Sequence, residues 1–251
     1  MQPQTFRAFR SRREPRPARL GSAVLALAWL AASAAARADE LRPFEASYAW
    51  IWNGMTVAAT TLKLEKAGDT WTYSSRSEPR GIGRLYPQRP TTVSVLQVTA
   101  AGVQPLSYTA NAGTSSTSRN VDVTYDWNKH RITGVYEGTA VDLPLTPDVQ
   151  DDSSLQVAIM VELLRGRVPD HFMDLEKNSV REYRYQRAGE ATIQTMLGKV
   201  ATVVYSSQKA YSPRINSYWC APDRGYIPMR VQQKRGDDVE WTMEIQSLKR
   251  E

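Results

Sequence analysis

Cys220 is the only cysteine in 251 residues. It follows Trp219 and precedes a Pro-Asp-Arg-Gly turn in the stretch SYWCAPDRGYIPMRV, residues 217–231. A lone thiol is buried, exposed as a reactive group, or paired with another chain. Reactivity needs the thiolate, which a nearby cation or helix N-terminus stabilises. No His stands near Cys220 in the sequence, so the expectation is a small strand residue, with a reactive thiol as the alternative. The stretch itself reads as a hairpin. Pro222 fixes φ at a turn position, Asp223 favours turns, and Gly225 can take positive φ. Pro228 then implies an edge or irregular position in the return strand.

Other chemistry-bearing residues are sparse. His130 and His171 are the only histidines, and neither has a second His or Cys at ligand spacing. No metal and no cofactor is expected. No G-x-S-x-G is present to mark a hydrolase nucleophile. The Gly81-Ile82-Gly83 run is too short for a nucleotide loop. Two carboxylate pairs occur. Asp151-Asp152 precedes a helical pattern, where the helix dipole favours negative charge. Asp237-Asp238 falls in a hairpin turn, where Asp supplies turn chemistry. No catalytic residue is assigned, and a non-enzymatic protein is expected.

Two groups remain as candidates for binding. Arg76, Arg80, Arg84 and Arg89 fall in or beside one Pro- and Gly-rich loop with Leu85 and Tyr86. They suit an anionic headgroup or partner, or else a solvated loop. The tryptophans fall mostly in strand patterns, where they make core or line an apolar cavity. Trp50, Trp52, Arg80, Arg84 and Tyr86 are the expected ligand-binding residues.

These residues must be positioned by strands. In FEASYAWIW, Phe44, Ala46, Tyr48, Trp50 and Trp52 share one face, the mark of a half-buried strand. Asn53-Gly54 follows, a strong type I′ hairpin signal. MTVAATTLKLEKA reads as the return strand, and Gly68-Asp69 turns the chain again. Similar alternation recurs through the chain, with VREYRYQRAG and EATIQTMLG as two strands punctuated by Gly189, giving roughly a dozen strands separated by Gly-containing turns. One segment differs. DDSSLQVAIMVELLRGRVP has Ser153 as candidate N-cap with Gln156 three residues on. Its apolar residues cover so much of the circumference that the helix, about three turns ending near Gly166, should be buried. The expected fold is mainly β: one large, strongly curved antiparallel sheet with one helix on its concave face.

The first 38 residues stand apart. A basic head with six arginines precedes an apolar run over residues 20–36 and an A-x-A site. That is the pattern of an export signal, with cleavage expected after Ala38; an uncleaved anchor is the alternative. Residues 39–251 then form a single β-rich domain, expected in the periplasm. The leader holds seven of the 32 basic residues and one of the 26 acidic ones, leaving 25 of each. The remaining chain is formally neutral, which argues against nucleic acid as a partner, since that needs a persistent basic surface.

Several short motifs occur in a set order: Phe44-x-Ala46-x-Tyr48 with the turn Gly54, GVQPLSY at 102–108, Asp126-Trp127, and PDVQDDSS leading into the helix. TMLGK follows, then Trp219-x-x-x-Asp223 and Ile227-Pro228-x-Arg230. In this order the chain resembles an exported bacterial family known as a domain of unknown function, DUF 3108. The resemblance implies the curved-sheet-plus-helix shape of periplasmic lipoprotein carriers and brings no catalytic residues. The leading functional expectation is a protein binding a lipid-like or amphipathic ligand on a concave apolar face, in cell-envelope maintenance or biogenesis, with peripheral membrane contact. The second is an adaptor docking an envelope protein. The third is an enzyme of unassigned class.

Overall fold

A computed structural model describes residues 40–250. The expected leader and its cleavage after Ala38 lie outside the described residues. The strands are β1 (Phe44–Trp52), β2 (Met55–Ala67), β3 (Thr70–Pro79), β4 (Thr91–Thr99), β5 (Gly102–Asn111), β6 (Val121–Asp126), β7 (Arg131–Tyr136) and β8 (Thr139–Pro144). A two-residue β9 (Val149–Gln150) leads into α1 (Ser154–Leu164). After the helix come β10 (His171–Glu176), β11 (Ser179–Thr195), β12 (Gly198–Lys209), β13 (Arg214–Ala221), β14 (Ile227–Arg235) and β15 (Asp238–Arg250). All fifteen belong to one sheet. Its order runs β8 to β1 and then β15 back to β9, so β1 pairs β15. Every pair is antiparallel except β9 with β10.

Nearest-neighbour hairpins explain this order. Asn53 and Gly54 both take positive φ, 47° and 73°, as a type I′ turn requires. Alternation sets the register, because a one-residue slip would turn Phe44, Ala46 and Tyr48 from the core to the solvent. Fifteen strands laid flat would span about 70 Å at roughly 4.8 Å per strand. A helix is only about 10 Å wide. Yet α1 shares a single apolar core with residues of β1–β5 and β10–β15. The sheet must therefore wrap around it. A second cluster joins Val123, Ile132 and Val141 to Val149 and Leu175. Those residues come from opposite ends of the strand order, so the two edges meet through side chains without a shared hydrogen-bond ladder.

Eight of the eleven residues of α1 are buried, as its apolar circumference demands. The capping differs from expectation. Ser153 makes no capping hydrogen bond. Instead Asp151 Oδ1 accepts from the backbone N–H of Ser153 (2.9 Å) and Ser154 (2.8 Å). Ser154 Oγ returns the favour by accepting from Asp151 N–H at 2.9 Å. The reciprocal cap is thus Asp-x-x-Ser, two residues earlier. The helix ends near Gly166 as expected, in a Schellman pattern: Gly166 N–H bonds Leu163 O and Arg167 N–H bonds Glu162 O. Thr92 and Ser94 hold the start of α1 through Ser153 and Asp151. The Arg165 guanidinium holds its end on Thr99 O and Ala100 O. The helix therefore lies along β4.

The strand count is fifteen, above the dozen read from the sequence. Strands β8, β9 and β10 were not expected. Residues 180–195, expected as two strands broken at Gly189, belong to the single long β11. The backbone there bulges between Arg187 and Gly189, and Gly189 takes a φ of 141° that an L-residue rarely adopts. Among the described residues no helix is long and apolar enough to cross a membrane.

Candidate functional site

The hairpin around Cys220 is the first place to test. Cys220 is fully buried, at 0% exposure, and burial pushes its thiol up to about 12. A thiol so placed is neither ionised nor accessible. Pro222–Arg224 form a 3-10 turn, and Gly225 follows in the left-handed region. Pro228 lies within an inner strand, opposite a register shift between Trp219 and Cys220. The irregularity implied by the proline is that bulge. Arg230 lies 5.7 Å from the Trp219 ring centroid and is bound to Glu244. The stretch is structural. His130 sits in a turn with φ 52°, and His171 Nδ1 lies 2.8 Å from Asp170 Oδ1.

The aromatic residues lead to a site. Trp50 pairs in register with Ala58, and Ala58 with Pro79, which brings the ends of β1, β2 and β3 side by side. The start of α1 is tied at the level of Thr92 and Ser94, opposite Ser75 and Tyr73. Strands β1–β3 thus run on past the helix, uncovered by it. The chain then turns back over them. A 3-10 turn at Gly81–Leu85 follows β3, and Arg80 N–H bonds Val57 O at 2.8 Å. The turn lies flat on β2. A Cβ at position 83 would stand 1.9 Å from Val57 O, so only glycine permits this approach.

Between turn and strand ends lies a hollow of about 590 Å³. Its walls are Trp50, Trp52, Ile82, Leu85, Tyr86 and Pro90, and Glu78 is the only charged residue among them. Trp52 is 50% exposed, Leu85 79% and Tyr86 75%, so the apolar surface continues onto the rim. Trp50 packs on Trp241 with ring centroids 4.7 Å apart. Trp241 donates to Gln233 (3.1 Å), which donates to Asn216 (2.9 Å). Trp50 has no such outlet: its indole Nε1 is buried with no hydrogen-bond partner. A buried donor left unpaired is costly and calls for an acceptor.

Three of the five expected binding residues, Trp50, Trp52 and Tyr86, line this hollow. The other two do not. Arg80 lies 3.5 Å from Glu78, which Arg76 also approaches at 3.7 Å. Arg84 is exposed on the loop. Ile82 and Leu85 were missed, although the loop's only aliphatic residues carried the signal.

A second polar region lies where the sheet edges meet. Asp151 is buried at the helix start, and Ser94 Oγ donates to its Oδ2 at 2.9 Å. Burial raises its pKa to about 6, against the lowering effect of these hydrogen bonds. Asp174 on β10 is 2% exposed, with Oδ1 unpartnered. Burial, then the charges of Asp152 and Asp151, push it well up. That shift favours the protonated carboxyl, whose burial costs less than that of the carboxylate. Asp152 accepts from Tyr108 and Tyr136, each at 3.4 Å. Burial and the charge of Glu176 raise its pKa too, against the tyrosine hydrogen bonds. Its side chain still reaches water, so screening limits that rise. Sequence reading assigned the Asp151-Asp152 pair to the helix start. That holds for Asp151, while Asp152 turns to the tyrosines.

The fold has a likeness among solved structures. A β-barrel-like protein of the domain of unknown function DUF1849 from Brucella abortus superposes with a TM-score of 0.55 at 11% identity, covering 84% of this chain and 99% of its own. A Bacteroides fragilis protein with a YmcC-like fold covers 84% of this chain and 97% of its own, at 8% identity and a TM-score of 0.37, too low to carry an argument. The first likeness concerns the fold alone. No curated protein matches the sequence. The family model for the protein of unknown function DUF3108 matches residues 44–244, nearly the whole described sheet, and the chain belongs to that family.

Proposed function

We propose that this is an exported, non-catalytic binding protein whose hollow takes the apolar part of an amphipathic ligand. The observation that supports this most is the aromatic-walled space at the ends of β1–β3, left open beyond α1. Its volume of about 590 Å³ lies within the range of small-molecule sites, roughly 300–1,000 Å³. Its walls offer apolar contact from Trp50, Trp52, Ile82, Leu85 and Tyr86, which suits the hydrocarbon part of an amphiphile. Elsewhere α1 and the core occupy much of the concave face, and the hollows beside α1 carry several charged residues in their walls, which suits an apolar chain less well. Export rests on the basic head, apolar run and A-x-A site of residues 1–38, and it makes cell-envelope amphiphiles the natural ligand class.

Titration with an apolar fluorescent dye tests the reading. The protein should take up the dye with saturation, and an acyl ester should displace it. Trp52→Asp places a charge in the wall and should weaken uptake by about tenfold or more, since an unpaired charge against apolar surface costs several kcal/mol. Equal uptake by wild type and Trp52→Asp would remove the hollow as the site.

A further inference from the structure

We propose that the rim of the hollow docks on a bilayer containing anionic phospholipid. The inference stands on the rim residues alone and goes beyond ligand binding. Two neighbouring tips form this rim: the β1–β2 hairpin with Trp52 and Met55, and the loop with Ile82, Leu85 and Tyr86. All five are exposed, and Trp52, Ile82, Leu85 and Tyr86 border one opening.

The charges around them are mostly positive, with Glu78 the one acidic residue in the hollow's walls. Residues 79–90 contain Arg80, Arg84 and Arg89 and no acidic residue, and residues 50–57 contain no charge at all. Among the described residues the side chains of Arg84 and Arg89 have no hydrogen bond or ion pair. Arg80 shares the single Glu78 with Arg76. Residues 39–251 are balanced in charge, so this is a local concentration of unneutralised cations.

Trp, Tyr and Leu beside unpaired Arg are the side chains that settle at a membrane interface. The aromatic rings lie at headgroup depth, the leucine enters the acyl boundary, and each arginine adds attraction to anionic lipid. A protein partner would need a broad, complementary patch, on the order of 1,000 Å² in total. This rim offers two narrow tips around a hole, a poor match to a protein surface. Opened toward a bilayer, the same hole gives acyl chains a path into the hollow without crossing water.

The experiment places a polarity-sensitive nitrobenzoxadiazole label on Leu85→Cys. Buried Cys220 stays unlabelled in the native protein. A second variant, Met196→Cys, carries the label at an exposed site in the β11–β12 turn, at the opposite end of the strands. Vesicles of mixed phosphatidylglycerol and phosphatidylcholine should shift the label at 85 to the blue and leave that at 196 unchanged. Vesicles of phosphatidylcholine alone should bind far more weakly. Arg84→Gln with Arg89→Gln should lower vesicle affinity by about 30-fold, the effect of two cations at an anionic surface. The same double variant, without vesicles, should take up apolar dye as wild type does. Loss of docking and loss of ligand binding are thereby read separately. Four results would overturn the proposal: no shift at 85, an equal shift at 196, an equal response to neutral vesicles, or a shift at 85 produced only by an envelope protein.

Discussion

The two ends of the concave face solve the same problem in opposite ways. At the seam, where β5–β8 meet β9 and β10, the chain closes on itself. Val123, Ile132, Val149 and Leu175 form a dry cluster, and Asp151 and Asp174 are buried beside it, the first satisfied by Ser94 and the helix start. At the rim, strands β1–β3 outrun the helix, and the covering turn leaves Trp52, Leu85 and Tyr86 in contact with solvent. Carboxylates gather at the seam and unpaired arginines at the rim. The seam is where side chains serve the fold. The rim exposes apolar groups and the unpaired Arg84 and Arg89, and the proposed binding and docking rest on that difference.

The contrast can be broken by substitution. Ile132 is fully buried at the seam, so Ile132→Ala should cost about 2–5 kcal/mol in urea unfolding. A loss well below that range would mean the seam is loosely closed and the two edges are free to part.

The next effect is electrostatic. The Asp151 carboxyl has a folded value of about 6 against an ordinary 3.8, so the native state binds its proton more tightly than the unfolded chain does. The resulting stabilisation is complete below 3.8 and disappears as pH rises through about 6, a change of about 2–3 kcal/mol. Asp174 acts in the same sense. Asp126, Asp170 and Glu240 are lowered and act in the opposite sense. Their contribution is present above their ordinary values and lost only at more acid pH. Urea midpoints should therefore rise as pH is lowered from about 6 to about 5, and Asp151→Asn should flatten that rise. A midpoint that falls over this interval would contradict the burial of the seam carboxyls.

The smallest effect belongs to the rim. Leu85→Ala should change stability by no more than about 0.5 kcal/mol, because little of the side chain is buried. A large loss there would make the loop part of the core and erase the distinction.

Much of this fold was legible from period-2 alternation and turn chemistry. Strand β2 was bounded correctly by Asn53-Gly54 and Gly68-Asp69, because those turns need positive φ. The missed strands have physical reasons. In β8 only Val141 is buried, so alternation has nothing to show, and β9 is two residues long. In β10 a buried aspartate stands on the apolar side of HFMDLE, where pattern reading takes a charge for a surface position. Gly189 looked like a strand end because a bulge and a break share the same residue. For the site, Trp50, Trp52 and Tyr86 were legible as aromatics. Their meeting depends on the sheet's curvature and on the close approach of Gly83 to Val57, long-range facts that no local pattern encodes. The seam carboxyls were hidden for the same reason, since Asp174 and Asp151 meet only when the two edges close.

The central claim is that the hollow at the ends of β1–β3 carries an amphipathic ligand. The most direct measurement is native mass spectrometry of the protein taken from its own envelope compartment, beside Trp52→Asp prepared in the same way. The account predicts a bound species of lipid-like mass on the wild type, released on denaturation and much reduced in the variant. A wild-type mass equal to that of the bare chain, or an adduct retained equally by Trp52→Asp, would contradict it.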